Sequence, residues 1–259
     1  MPSWMPEDVW SLLRVPNFDE DDMRYVIYHA ERMLHEDHGR AQQVMGTELF
    51  HNWITAPDST RLLIHGDFEH TQDISPFSIL VTVLTLNLRS SGHYIGLVFF
   101  CGRHLVWDDD QGPQAMIRSL IAQLLRQLPP QPVHLDSQIS TQDIENGNIE
   151  TLCRLFAYLL RQIPHGMPVM CLIDGLNTFE ADPYFEGMET VILSLTDLVD
   201  EDQDMRNRFK LLLICPSPTV EVRKVFDPDL LIHMESIPRL ERGVGLGDLQ
   251  AQLSYSNTS

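Results

Sequence analysis

Five short runs of apolar residues, held apart by long helical stretches, constrain this chain more than any other feature. They fall at residues 62–66, 94–101, 168–174, 209–215 and 230–234. A strand that is apolar at consecutive positions has no face to give to water. Alternation of such strands with helices is the pattern of a parallel sheet covered on both sides. The intervening helices read clearly. Ser75 and Pro76 open one as cap and first-turn residue. Its body, 77 to about 88, is apolar nearly all round and so should be buried. Met116, Ile117, Leu120, Ile121, Leu124, Leu125 and Leu128 form the stripe of a second helix. Ile149, Leu152, Leu155, Phe156, Leu159, Leu160 and Ile163 form that of a third, and 188–199 is a fourth.

The chain before residue 57 has a different texture. Met23, Val26, Ile27, Ala30, Met33 and Leu34 make a helical stripe, with Asp21 and Asp22 placed for a helix N-terminus. A second helix is expected over about 41–54, carrying Trp53, before Pro57-Asp-Ser-Thr60 breaks the pattern. The organisation expected is a helical segment over 1–57, an α/β core over 58–240 and a polar tail over 241–259. A Pro- and Gln-containing linker is expected at 129–148.

Charge narrows the function. There are 18 Lys and Arg against 37 Asp and Glu, a net charge of −19 with His neutral. Nucleic acid and anionic membranes are bound by clustered cations. The most basic stretch, 206–210, holds three, next to an acidic run. A protein partner is the expectation, with neither nucleic acid nor membrane. No apolar run approaches the ~18–20 residues of a spanning helix, and the first residues lack a signal-peptide pattern. Cys101, Cys153, Cys171 and Cys215 form no C-x-x-C pair and lie in apolar runs or on an apolar helix face. They read as buried thiols of a cytoplasmic protein.

Ligands of parallel sheets bind at the carboxyl ends of the strands. After the first strand a phosphate loop would read G-x-x-x-x-G-K-[ST]. Residues 66–75 instead hold one glycine, Gly66, no lysine, and three acids, Asp67, Glu69 and Asp73. A like-charge contact near 4 Å costs roughly 4 kcal/mol at a surface-like dielectric. That is half of the roughly 8 kcal/mol of a micromolar affinity. Gly66 and Ser75 are the candidate nucleotide contacts, although Ser75 is better explained as the helix cap. Asp174, ending the third strand, is either a Mg²⁺ ligand or an acid capping the turn at Gly175 and Asn177. His35, His38, Cys101 and His104 have ligand residue types but lack the four convergent groups zinc needs. Asp108, Asp109 and Asp110 suit a solvated loop before a helix. There is no G-x-S-x-G elbow and no catalytic residue is assigned.

Residues 170–180, Met-Cys-Leu-Ile-Asp-Gly-Leu-Asn-Thr-Phe-Glu, resemble the Walker B segment of NACHT-like STAND P-loop NTPases. Residues 99–104, 112–125, 74–78 and 50–53 resemble the corresponding segments of filamentous-fungal members of that group. The resemblance covers roughly 20–240. It implies a three-layer P-loop-type sandwich with a five-stranded, mainly parallel sheet in the order 5-1-4-3-2, and Asp174 as nominal metal ligand. The departures imply a degenerate module. The Gly-Lys-Ser/Thr is absent, Asn177-Thr178 replaces the second acidic pair, and Pro216-Ser217-Pro218 stands where an Arg is usual. The expected function is interaction with another protein without ATP hydrolysis and without a cofactor. The alternative is a nucleotide switch or weak ATPase that uses Mg-ATP through Asp174.

Overall fold

The computed structural model describes residues 3–30, 35–68, 73–105, 110–129, 131–135, 139–201 and 207–239. Met33, Leu34, Glu69, Trp107, Asp108, Asp109, Arg206 and the 241–259 tail lie outside the described residues, as do the side chains of His35 and His38. The elements run β1 (Ser3–Trp4), α1 (Pro6–Leu13), α2 (Phe18–Ala30), α3 (His35–Met45), α4 (Glu48–Thr55), β2 (Thr60–His65), α5 (Pro76–Ser91) and β3 (Ile95–Phe100). There follow α6 (Gly112–Gln127), β4 (Val133–His134), α7 (Thr141–Asn146), α8 (Ile149–Leu160), β5 (Val169–Asp174), α9 (Phe185–Asp200), β6 (Phe209–Cys215) and β7 (Leu231–His233).

The sheet is all parallel in the order β3-β5-β6-β2-β7. Numbering only the five apolar runs, that is 5-1-4-3-2, the order the resemblance implies. Two local expectations are corrected. The helix read over 41–54 is two helices. The chain breaks at Gly46, and the Thr47 hydroxyl accepts from Phe50 N–H at 3.2 Å to cap α4. The 129–148 linker contains β4, which pairs antiparallel with β1, and α7, capped by Ser140.

Strand residues alternate between two cores. Leu63, Leu97, Phe99, Cys171, Ile173, Leu211 and Leu213 point into one, with α1, α6, α8 and α9 above them. Leu62, Ile64, Val98, Phe100, Leu172, Leu212 and Ile214 point into the other. That second face is closed by α5 together with Met23, Val26 and Ala30 of α2, Ala41 and Val44 of α3, and Phe50 and Trp53 of α4. The helices before residue 57 thus form part of a layer of the sandwich. Ile27 of the predicted stripe is the exception and is exposed.

The edge of β3 is closed by side chains. Gln123 on α6 donates from Nε2 to Val98 O at 2.7 Å and accepts from Val98 N–H at 2.9 Å. One turn on, Gln127 does the same with Gly96, at 3.0 and 3.1 Å. Two amides thereby occupy the ladder positions a sixth strand would use. Arg89 adds a bond to Gly96 O at 3.0 Å and another to Gln123 at 2.9 Å. Its Nη1 reaches buried Asp19 of α2 at 2.8 Å, and Arg126 reaches the same carboxylate at 2.6 Å.

Lys210, in the basic stretch 206–210, is a buried residue of β6. Its Nζ donates to Trp53 O at 2.9 Å and Ile54 O at 2.8 Å, at the negative end of α4. Burial pulls its pKa down to about 8. Among the described residues no helix is long and apolar enough to cross a membrane.

Gln123→Leu keeps the volume but removes both bonds to Val98 and leaves a buried N–H and C=O unpaired. The expected loss is about 2–3 kcal/mol, read as a lower urea midpoint. A midpoint equal to that of the unaltered chain would show that the edge is not held by Gln123.

Candidate functional site

The carboxyl ends of β2, β5 and β6 bring the candidate residues together. Gly66 leaves β2 pressed against the chain after β6. A Cβ at this position would lie 2.0 Å from Pro216 O, so only glycine fits. Its N–H donates to Cys215 O at 2.7 Å, and Phe68 N–H donates to Pro216 O at 3.1 Å. Ser75 is the N-cap of α5: its hydroxyl accepts from Phe77 N–H at 3.2 Å, and its own N–H donates to Ser78 Oγ at 2.8 Å. The cap reading of Ser75 therefore holds, and the hydroxyl that meets Asp174 is that of Ser78, one turn into the helix. The S-x-x-S spacing of a capping box was the available signal for Ser78.

Asp174 is buried at the last position of β5, and Ser78 Oγ donates to its Oδ2. Its Oδ1 has no hydrogen-bond partner among the described residues. Burial pushes its pKa up to about 7, opposed by the bonds from Ser78 and the Gly175 backbone. Gly175, at φ +75°, turns the chain sharply into the 3-10 turn Leu176–Phe179. Thr178, from the Asn177-Thr178 pair, donates its hydroxyl back to Gly175 O at 2.7 Å. Asn177 Oδ1 is buried without a hydrogen-bond partner among the described residues.

Two of the three acids of the 66–75 loop, Asp67 and Asp73, are paired with other residues, which weakens the repulsion argument at those two positions. Asp67 is paired with buried Arg40 of α3 and, at 3.3 Å, with Arg239. Arg40 also donates to Ile237 O at 2.7 Å and Met234 O at 2.9 Å, so one guanidinium ties α3, the loop after β2 and the chain after β7. Asp73 accepts from Tyr25 Oη at 2.7 Å and lies 3.4 Å from Arg103, whose guanidinium stacks 3.7 Å over the Tyr25 ring. Arg103 and His104 both reach buried Asp22, His104 at 2.8 Å. These partners come from elements far apart in the chain, so no local motif marked them.

Glu180, at the end of the turn after β5, gathers donors of the segment after β6. Its carboxylate accepts from the Thr219 hydroxyl and from the N–H groups of Val220 (3.3 Å), Glu221 (3.0 Å) and Val222 (2.8 Å). His65 Nε2 accepts from Thr219 N–H at 3.2 Å on the other side.

Two ligands can be compared with these groups. A divalent cation would find the hydroxyl of Ser78 and the unpartnered Oδ1 of Asp174, oxygens of the right kind. A triphosphate would find no lysine in the loop. It would also find the N–H groups of Gly66, Phe68, Ser75, Phe77 and Ser78 already given to protein oxygens. The two oxygens suit a cation, and these five N–H groups are not free for phosphate. His104 and Cys101 belong to the packing, His104 stacked on Phe99 at 4.7 Å. No group of three or more metal-ligating side chains occurs among the described residues. All four thiols are buried, and burial raises each above its ordinary value, Cys153 to about 11. None is a ready nucleophile.

The family model for the N-terminal region of nephrocystin 3 matches residues 39–215, from α3 to the end of β6. No curated protein matches the chain. The matched span is well over half of the sequence, and the chain belongs to this P-loop-related family.

The raised pKa of Asp174 fixes a pH dependence. Folding takes up a proton between the carboxyl's usual value of 3.8 and about 7. Stability is therefore full below that window and declines as pH rises through it, by up to about 1.4 kcal/mol per pH unit from this group. Asp174→Asn is expected to flatten that decline, measured as melting temperature against pH. An undiminished slope in the variant would refute the assignment.

Proposed function

We propose that this member of the nephrocystin 3 N-terminal family is a degenerate NACHT-like module that works by binding another protein and does not hydrolyse ATP. One observation carries the reading. At the strand ends, several groups that could face a nucleotide are engaged by the chain's own residues. Arg40 and Arg239 hold Asp67, Ser75 and Ser78 cap α5, and Glu180 takes the N–H groups after β6. Hydrolysis also needs a residue to orient water beside the metal, and Asn177-Thr178 offers no carboxylate there. On this reading the module requires no cofactor. A net charge of −19 favours a protein partner over nucleic acid or an anionic membrane.

A second reading, a nucleotide switch, is favoured by the meeting of Ser78 with Asp174. When bound, a magnesium ion would supply positive charge to phosphate oxygens beside these two residues. The chain's own contribution would be to hold the ion with Ser78 and Asp174. Their burial keeps water away.

Thermal shift with millimolar Mg-ATP, together with a phosphate-release assay, separates the two. The expected outcome is no saturable shift and no release. Binding at one hundred times Kd would stabilise the fold by about 2.7 kcal/mol. A saturable rise in melting temperature that disappears in Asp174→Ala would overturn the proposal in favour of the switch.

A further inference from the structure

We propose that the outward face of α9 is a docking surface for a basic, amphipathic segment of a partner protein, with one apolar side chain as its anchor. This rests on the reading of the chain as an interaction module and names the surface and the chemistry of the partner.

Glu186, Glu189, Leu193, Asp197 and Asp200 are the exposed residues of α9. Their spacing places them along one side of the helix. The helix contains no Lys or Arg. Asp200 is paired with Arg61 at 2.7 Å, whereas Glu186, Glu189 and Asp197 have no ion pair among the described residues. In the middle of this acidic side Leu193 is 43% exposed, an apolar side chain held in water between carboxylates.

Beside Leu193 lies an apolar slot of about 80 Å³. Its walls are Phe185, Met188 and Ile192 of α9 and Val222 and Val225 of the turn after β6. That volume admits one aliphatic side chain. Its rim carries Glu189, Glu221 and Lys224, with Lys224 neutralised by Glu221 at 2.6 Å. Val220, at the top of the same turn, is 67% exposed. On the other flank Leu193 borders a shallow groove of about 390 Å³ against α8, so the surface continues across two helices.

The slot is built before any partner arrives. The turn forming its far wall is fixed by the four bonds to Glu180. A preformed pocket spares the partner the cost of ordering it. The cations at this surface, Lys224 and Arg161, are each paired with a glutamate, whereas Glu186, Glu189 and Asp197 are not, so an apolar side chain with Lys or Arg on either side is the partner selected. An acidic partner, including a second copy of this chain, would meet like charge.

The test uses the full chain and a labelled Lys/Leu amphipathic helical peptide, read by fluorescence anisotropy. A Glu/Leu and a Lys/Ser peptide serve as controls. Saturable binding of the Lys/Leu peptide alone is expected. Leu193→Ser and Glu189→Lys should each weaken it at least about tenfold, one decade of Kd. Glu48→Lys, the same charge change on α4 across the sheet, should leave it unaltered. No saturable binding, equal binding of the Lys/Ser peptide, or an equal loss in Glu48→Lys would overturn the surface. None of those outcomes touches the ATP measurements, so the failure of this surface and the failure of the proposed function are read separately.

Discussion

A sheet that is apolar on both faces has to be covered on both faces, and most of this structure follows from that requirement. The five parallel strands leave no polar row for water. The crossover helices α6, α8 and α9 close one side. Only α5 is available from the strand–helix alternation to close the other. The chain supplies the missing cover from α2, α3 and α4, through Val26, Val44, Phe50 and Trp53 among others. The same requirement extends to the edge of β3, where Gln123 and Gln127 stand in for a strand. Burying long polar side chains at these joints is tolerable because each ends on a carbonyl or a carboxylate. Lys210 lies on the last turn of α4, and Arg40 on Asp67 and two carbonyls.

This explains which parts of the molecule were legible in the sequence. Continuous apolarity and helical stripes depend on residues close in the chain, and they located all five strands of the sheet and α5, α6, α8 and α9. The break at Gly46-Thr47 was a local signal too, but a weak one, because a helix resumes immediately. The short pair β1–β4 has two residues per strand and no pattern long enough to read.

The candidate site divides along the same line. Gly66, Ser75 and Asp174 were visible because each ends or begins an element. Their partners were not. Arg40 lies 27 residues from Asp67 and reaches it across an element boundary. Tyr25 lies 48 residues from Asp73. An acid read alone is a repulsive charge, whereas the same acid beside a guanidinium is a structural pair. Counting charges along the loop therefore gave the correct formal charge but not the pairing of Asp67 and Asp73. The formal charge of −19 is genuine. Among the described residues, Glu186, Glu189 and Asp197 on α9 carry part of it without an ion pair.

One short segment connects the two regions. Gly175 starts the turn after Asp174, Leu176 and Phe179 bury it against the core, and Glu180 ends it. At one end an acid faces Ser78, and at the other an acid gathers the hydroxyl and N–H groups of 219–222. In a P-loop protein the bound phosphates satisfy backbone N–H groups that otherwise have no partner. Here the N–H groups of Gly66, Phe68, Ser75, Phe77, Ser78 and 220–222 are paired within the chain. The turn so ordered is a wall of the slot beside Leu193. Internal pairing at the strand ends and a rigid outer surface are thus two results of the same hydrogen bonds.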